Sequence, residues 1–144
     1  ADIASLAQTL NLFAFQLQGN ETEREITELK ALLKQQHLNT EIWKAVAIDS
    51  NNGEVSQKTA GADRYLYDSK SAQQFGGTGQ TFNWQADIDD KQDAMLAGGL
   101  TPDNVYLASQ QGFYGVDLNS GVESTPGHKD HQKLIAAFTQ LRRN

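Results

Sequence analysis

The feature that most constrains the fold is the stretch at 96–124, LAGGLTPDNVYLASQQGFYGVDLNSGVES. A short apolar run at 95–97 is closed by Gly98 and Gly99. Thr101 then stands as an N-cap, and the proline and aspartate after it are typical of a first helical turn. This order predicts a strand, a glycine turn and a helix that opens directly after the turn.

A second apolar run, at 113–118, also ends in a small polar turn, which contains Ser120 and Gly121. We call Gly98-Gly99 and Ser120-Gly121 the two glycine turns. Free backbone N–H groups at a helix N-terminus favour an anion, and glycines let it approach closely. Two successive strand ends would therefore offer donors side by side, which indicates a phosphate site. For any single glycine, an ordinary turn is the competing interpretation.

Helical and strand patterns alternate along the rest of the chain. They predict helices at 1–9, 21–36 and 131–142, strands at 12–17, 41–48 and 64–67, a polar loop at 49–61, a glycine-rich loop at 69–80 and a short helix within 81–90. Alternation of this kind predicts an α/β fold with five parallel strands and right-handed crossovers. Periodicity alone allows either an open doubly wound sheet or five strands of an eight-stranded barrel. A complete barrel needs ~200 to 250 residues, more than the 144 present.

Two apolar faces are expected to pack inward. On the strand at 12–17 the face consists of Phe13, Phe15 and Leu17. On the last helix it consists of Leu134, Ile135, Phe138 and Leu141.

Charge and composition exclude several classes of function. The chain has 12 basic and 18 acidic residues, a net charge of −6 and no basic stripe, so no nucleic-acid partner is expected. It has no cysteine, which excludes disulfides, thiolate metal sites and a cysteine nucleophile. No apolar run reaches the ~18 residues of a membrane span, so no membrane partner and a cytoplasmic location are predicted. The three histidines share no face with acids at ligand spacing, and we predict no metal or cofactor.

Three side chains are candidates for chemistry. Asp68 follows a predicted strand and precedes a glycine-rich loop, which is the catalytic side of a parallel α/β unit. A solvated turn aspartate is the alternative. Asp117 lies on the opposite face of its predicted strand from Val116, so its side chain is expected at the open end of the strands. A buried structural aspartate is the alternative. Lys44 suits a Schiff base, although a strand-end lysine with a packed stem and a wet amine is favoured.

Four segments, GGTGQTFNW, AGGLTPDNV, GVDLNSGVES and PGHKD, occur here in one order. Together they resemble the carboxy-terminal portion of phosphoribosylanthranilate isomerase, a family of the tryptophan pathway. The resemblance implies a partial (β/α)8 TIM barrel, in which 1–144 is a single incomplete domain holding strands four to eight. Its two outer strands would be open edges, and self-association through them is expected.

The resemblance also implies roles for particular residues. Asp68 matches the general acid, Asp117 the contact to the sugar hydroxyls, and the two glycine turns the phosphate site. The substrate would be a phosphorylated sugar-anthranilate, rearranged without cofactor. The family's base is a cysteine at the end of strand one, which this chain lacks, so we expect at most a fraction of the family's activity. Gln18 stands where the family usually has histidine.

Some members are fused behind an indole-glycerol-phosphate synthase barrel, and such a fused domain is a predicted partner. Two other functions stay open. One is a different phosphosugar isomerase or a Schiff-base aldolase that uses Lys44. The other is a non-catalytic fragment that pairs its open edges with another copy.

Overall fold

A computed structural model describes residues 3–49, 53–70 and 88–143, without the side chains of 69 and 70. Its helices are α1 (Ile3–Leu10), α2 (Glu23–Gln35), α3 (Val105–Ser109) and α4 (His131–Leu141). Its strands are β1 (Ala14–Leu17), β2 (Glu41–Asp49), β3 (Arg64–Lys70), β4 (Met95–Ala97), β5 (Gly115–Val116), β6 (Glu123–Thr125) and β7 (His128–Lys129). A five-stranded sheet has the order β1-β2-β3-β4-β5, and β6 and β7 form a separate pair. The predicted α/β class is confirmed.

The backbone divides into two compact units, which are described separately. The first comprises Ala1–Val46 and Gln57–Leu66, and the second comprises Ala47–Ser56 and Tyr67–Asn144. The single barrel domain at 1–144 stays a prediction.

In the first unit, the start of α2 is stabilised by two reciprocal hydrogen bonds between Thr22 and Glu25. Thr22 accepts from the Glu25 N–H, and the Glu25 carboxylate accepts from the Thr22 N–H at 2.7 Å, which makes a capping box. The helix buries Ile26 and Leu33 against α1 and the strands. β1 and β2 are parallel, with Ala14 opposite Glu41. The predicted helices and strands of this unit are confirmed, with ends shifted by a few residues.

The inward face of β1 is only partly as predicted. Leu17 is buried and Phe15 packs against the same core cluster, but the Phe13 side chain is 69% exposed. Phe13 lies before the strand begins and makes an edge contact with Trp43 at 6.5 Å between ring centroids. Its expected burial was therefore wrong.

In the second unit, β4 and β5 are parallel, with Met95 opposite Gly115 and Leu96 opposite Val116. Two apolar clusters lie among the described residues of this unit. The first consists of Leu96, Leu100 and Ala108 with Phe113, Val116 and Leu118 around them. The second consists of Val105, Val122 and Ala137 with Val116, Leu118, Leu134 and Leu141. Because Val116 and Leu118 belong to both clusters, β5 and the residues after it pack against α3 and α4.

The last helix faces inward through a different stripe from the one predicted. Ala137 is fully buried, and Leu134 and Leu141 are packed beside it. Ile135 and Phe138 are 60% and 50% exposed, so their predicted burial was wrong. The inward stripe follows the spacing i, i+3, i+7, and its centre is a small residue where α4 approaches Val105 and Val122 closely.

The structure differs from the sequence prediction in one strand end and in one additional strand pair, and one predicted segment lies mostly outside the described residues. β3 runs to Lys70, which places Asp68 inside the strand and not after it. The antiparallel pair of β6 and β7 was not predicted, although Thr-Pro-Gly at 125–127 is a turn signal. The predicted loop at 69–80 and the helix within 81–90 fall mostly in 71–87, outside the described residues. None of the helices in the described ranges is long and apolar enough to cross a membrane.

Candidate functional site

In the second unit, Gly121 lies against Leu100 and Thr101, the two residues that follow Gly98-Gly99. A Cβ atom built on Gly121 would lie 2.8 Å from the carbonyl carbon of Leu100 and 3.0 Å from Cγ2 of Thr101, and closer still to the carbonyl oxygen of Leu100. No side chain fits there, so only glycine allows the turn after β5 to pack against the turn after β4. The structure therefore brings together the two strand ends on which the phosphate prediction rests.

The first of these turns has a left-handed backbone at both glycines. The φ angles of Gly98 and Gly99 are +90° and +62°. A Cβ atom at Gly99 would meet nothing within 4 Å. At Gly99 no atom of the described residues stands close to the position of a Cβ atom, which suits the close approach of a small anion.

The helix after the glycine pair begins later than predicted. Asn104 accepts a hydrogen bond from the Thr101 N–H at 2.8 Å and donates to the Gly99 carbonyl at 3.0 Å. These bonds hold 101–104 as turns, and α3 starts only at Val105 and has five residues. The expectation that a helix opens directly after Gly99 was wrong. Any anion affinity here would come from the turn backbones and not from a helix dipole.

Two carboxylates of the second unit interact electrostatically. Asp117 directly follows β5, and its N–H donates to the Leu96 carbonyl at 2.8 Å. Partial burial raises the pKa of Asp117, the negative charge of Asp68 raises it further, and Lys129 opposes both effects. The charge of Asp68 therefore reaches Asp117. Carboxyl groups whose environments separate their proton affinities are suited to acid-base chemistry.

The turn at 119–121 is held by a lysine from the β6–β7 hairpin. The Lys129 amine donates to the Asn119 carbonyl at 3.1 Å, to the Asn119 side-chain oxygen at 2.7 Å and to Glu123 at 2.7 Å. The bond from Lys129, together with one from the Gly127 N–H, lowers the pKa of Glu123. Both residues lie in segments with family resemblance, but their mutual contact depends on a hairpin that the sequence prediction missed.

Lys44 lies in the first unit and is only 5% exposed. Its amine donates to the Gly19 carbonyl at 2.7 Å and forms an ion pair with Glu21 at 3.0 Å. Burial acts to raise the pKa of Glu21, but hydrogen bonds from its own N–H, Lys44 and Gly19 outweigh burial and lower that pKa. The favoured prediction of a wet amine was wrong. A buried amine that is paired with Glu21 and the Gly19 carbonyl, on the face of β2 that also carries the core residue Ile42, is unsuited to act as a nucleophile.

Within 3–49, 53–70 and 88–143, no three His, Asp or Glu residues are grouped closely enough to hold a metal ion.

Parallel strands with helices, and glycine turns that follow two neighbouring strands, place this chain in the class of α/β proteins whose functional loops lie at the carboxyl ends of the strands. Comparison with known sequences identifies the family. The chain belongs to the N-(5′-phosphoribosyl)anthranilate (PRA) isomerase family, which matches residues 1–140.

Individual relatives and solved structures agree with this assignment. The tryptophan biosynthesis protein TrpCF of Haemophilus influenzae is 43% identical over 142 residues, which is 96% of this chain, and that of Vibrio cholerae is 44% identical over 142 residues, which is 99% of it. The crystal structure of TrpF from Jonesia denitrificans is 29% identical, with a TM-score of 0.68 over 96% of this chain. The phosphoribosyl anthranilate isomerase of Thermotoga maritima is 27% identical, with a TM-score of 0.68 over 97%. The predicted TIM-barrel class is confirmed by this likeness.

The chain spans 29% of the length of both TrpCF relatives. It spans 64% of the Jonesia structure and 66% of the Thermotoga structure. The family match runs from residue 1 to residue 140, so it is not limited to the later segments that carry the resemblance in sequence. The assignment of this chain to strands four to eight stays a prediction.

Proposed function

We propose that this chain carries the phosphate site and the general acid of a phosphoribosylanthranilate isomerase. The reaction converts N-(5-phosphoribosyl)anthranilate to 1-(2-carboxyphenylamino)-1-deoxyribulose 5-phosphate, an Amadori rearrangement in tryptophan biosynthesis. The observation that supports it most directly is the electrostatic effect of Asp68 on Asp117, which follows β5 and precedes the turn that contains Ser120 and Gly121. Family membership supports the choice of substrate.

In the proposed mechanism the phosphate binds to the two glycine turns, and Asp117 accepts hydrogen bonds from sugar hydroxyls. Asp68 donates its proton to the ring oxygen as the C1′–O bond breaks, which leaves an iminium ion. A base then removes the proton from C2′, and the electron pair neutralises the iminium to give an enolamine. Tautomerisation yields the ketose. The family's base is a cysteine and this chain has none, so we propose that the base comes from outside it.

A domain exchange tests the acid role. The 142-residue segment of the Vibrio cholerae relative that matches this chain is replaced by the chain itself. Turnover is followed by the loss of substrate fluorescence, and phosphate affinity is measured separately. Asp68→Asn should reduce kcat by ~10² to 10⁴ fold and leave phosphate affinity unchanged.

Lys44→Met is the matched test of the aldolase alternative. It should lower stability, because it leaves Glu21 without its ion pair, and should keep turnover in the folded fraction. Turnover that survives Asp68→Asn but is lost in Lys44→Met would favour the Schiff-base chemistry instead.

Self-association is a second candidate, and a specific observation favours it. The first unit exposes four apolar side chains in or next to α1, which are Ile3, Leu6, Leu10 and Phe13 at 38%, 42%, 59% and 69%. Such a cluster on a small unit favours a protein contact. Light scattering across a concentration series should detect a dimer of the 144-residue chain, and a monomer at every concentration would count against this candidate.

The partner and the location belong to the same proposal. The relatives named TrpCF are more than three times as long as the matched segment, which supports a parent fused to an indole-glycerol-phosphate synthase domain. A cytoplasmic location follows from a role in tryptophan biosynthesis. The complete coding sequence tests the fusion, and fractionation of cells that express the tagged parent tests the location.

A further inference from the structure

The amine of Lys129 is fully occupied by protein acceptors. An ammonium group has three N–H donors. Here they meet the Asn119 carbonyl, the Asn119 side-chain oxygen and the Glu123 carboxylate, at 3.1, 2.7 and 2.7 Å. No donor is left for a ligand, so any influence of Lys129 on the neighbouring glycine turn must pass through Asn119.

Asn119 controls the turn that contains Ser120 and Gly121. Its carbonyl also accepts the N–H of Val122 at 3.2 Å, which closes the 3₁₀ turn Ser120–Val122. The Lys129 amine therefore donates to the Asn119 carbonyl oxygen, which also closes this turn. On its other side, the turn is limited by the contact of Gly121 with Leu100. Two contacts thus orient the Ser120 and Gly121 N–H groups. One is the contact of Gly121 with the Leu100 backbone, and the other is the pair of hydrogen bonds from Lys129 to Asn119.

The position of Lys129 is fixed by the β6–β7 hairpin and by Glu123. Lys129 and Glu123 are register partners across the β6–β7 hairpin. The Glu123 side chain is only 13% exposed, and it also accepts the Gly127 N–H at 3.2 Å. The ion pair is therefore held in place by the strand pairing of Glu123 with Lys129 and by the hydrogen bond from the Gly127 N–H to Glu123. It is not an isolated surface ion pair.

We infer that Lys129 is a positioning residue for phosphate binding, which acts by fixing the Asn119–Gly121 turn and does not touch the ligand. The inference rests on the proposed phosphate site and adds to it the element that shapes half of that site. Its positive charge also reaches Asp117, where it favours the ionised carboxylate.

The test is a titration of the 144-residue chain with inorganic phosphate, followed by the amide NMR shifts of Gly99, Ser120 and Gly121. Lys129→Met should weaken phosphate binding about tenfold, as expected when charge-assisted hydrogen bonds are lost. Lys129→Arg keeps the charge and several donors and should recover most of the affinity. Lys133→Met is the matched control, because Lys133 donates to the Glu123 carbonyl at 2.6 Å and carries the same charge without reaching Asn119.

Asn119→Ala provides a second route if Lys129→Met does not fold. It removes one acceptor of the lysine at an exposed position and should give an intermediate loss of affinity. In the exchanged enzyme, Lys129→Met should raise KM about tenfold with kcat little changed, whereas Asp68→Asn lowers kcat. A purely structural role would lower both in proportion to the unfolded fraction.

The outcomes separate the two proposals. Equal losses in Lys129→Met and Lys133→Met would show a general charge effect and overturn the positioning role, as would unchanged affinity in both Lys129→Met and Asn119→Ala. A wild-type chain that binds no phosphate would overturn the phosphate site itself, and the positioning role with it.

Discussion

Gly121→Ala is the substitution that most directly tests the contact of Gly121 with Leu100 and Thr101. The added methyl carbon would lie 2.8 Å from the Leu100 carbonyl carbon and 3.0 Å from Cγ2 of Thr101. Carbon atoms normally sit ~3.5 to 4.0 Å apart, so the two turns would have to separate by roughly 1 Å. Leu100 cannot swing aside, because the clash is with its backbone and its side chain is only 2% exposed.

The expected cost has two parts. Forcing an extra methyl group into a packed contact destabilises the fold by ~1 to 3 kcal/mol. A shift of about 1 Å in positioning groups also costs up to ~10² fold in activity. Urea unfolding of the 144-residue chain measures the first part. Phosphate titration and turnover in the exchanged enzyme measure the second.

Gly112→Ala is the matched control for backbone strain. Gly112 has φ of +82° and open space around a Cβ atom, and it lies before β5 and not after it. It should lose ~1 kcal/mol of stability from the left-handed backbone and keep its phosphate affinity. If Gly121→Ala matched the wild type in both stability and affinity, the contact of Gly121 with Leu100 would not be the feature that shapes the site.

Three further predictions concern stability. Because the folded-state pKa of Asp117 lies above its ordinary 3.8, its contribution to stability is present below that pH and is lost as pH rises through the raised value. Asp117→Asn should therefore gain stability relative to the wild type as pH rises through this range in urea unfolding, and a constant difference would contradict this. Thr22→Ala should cost ~0.5 to 2 kcal/mol by loss of the α2 cap, and Thr22→Ser should restore it. Tyr67→Phe removes a 2.7 Å bond to Asp90 from a buried ring and should cost ~1.5 to 3 kcal/mol; a double-mutant cycle with Asp90→Asn checks that the two residues are coupled.

The helices and strands with strong local signals were predictable from the residues alone. The capping pair Thr22 and Glu25 sets the start of α2, and its apolar spacing sets the buried face. β4 was predicted at its observed bounds because an apolar run ends at a glycine pair. These features depend on neighbours in the chain, and the sequence contains those neighbours.

Other features were not predictable from these patterns: one depended on competing local hydrogen bonds, and another on distant partners. α3 begins late because the Asn104 side chain takes the Thr101 N–H and the Gly99 carbonyl for a turn. α4 buries Ala137 and exposes Phe138, since the approach of the helix to Val105 and Val122 leaves room only for a small side chain at its centre. Residue type and spacing do not reveal which stripe a neighbour will cover.

The sequence by itself determined the alternation of helices and strands, the glycine pairs at the strand ends and the carboxylates near them, because each is a local pattern of residue types. Only the tertiary structure decided that Gly121 lies against Leu100, that the charge of Asp68 reaches Asp117, and that Lys129 donates to Asn119. Each of these relations is a short distance between residues far apart in the chain. Packing of the folded backbone sets such distances, and local propensity does not.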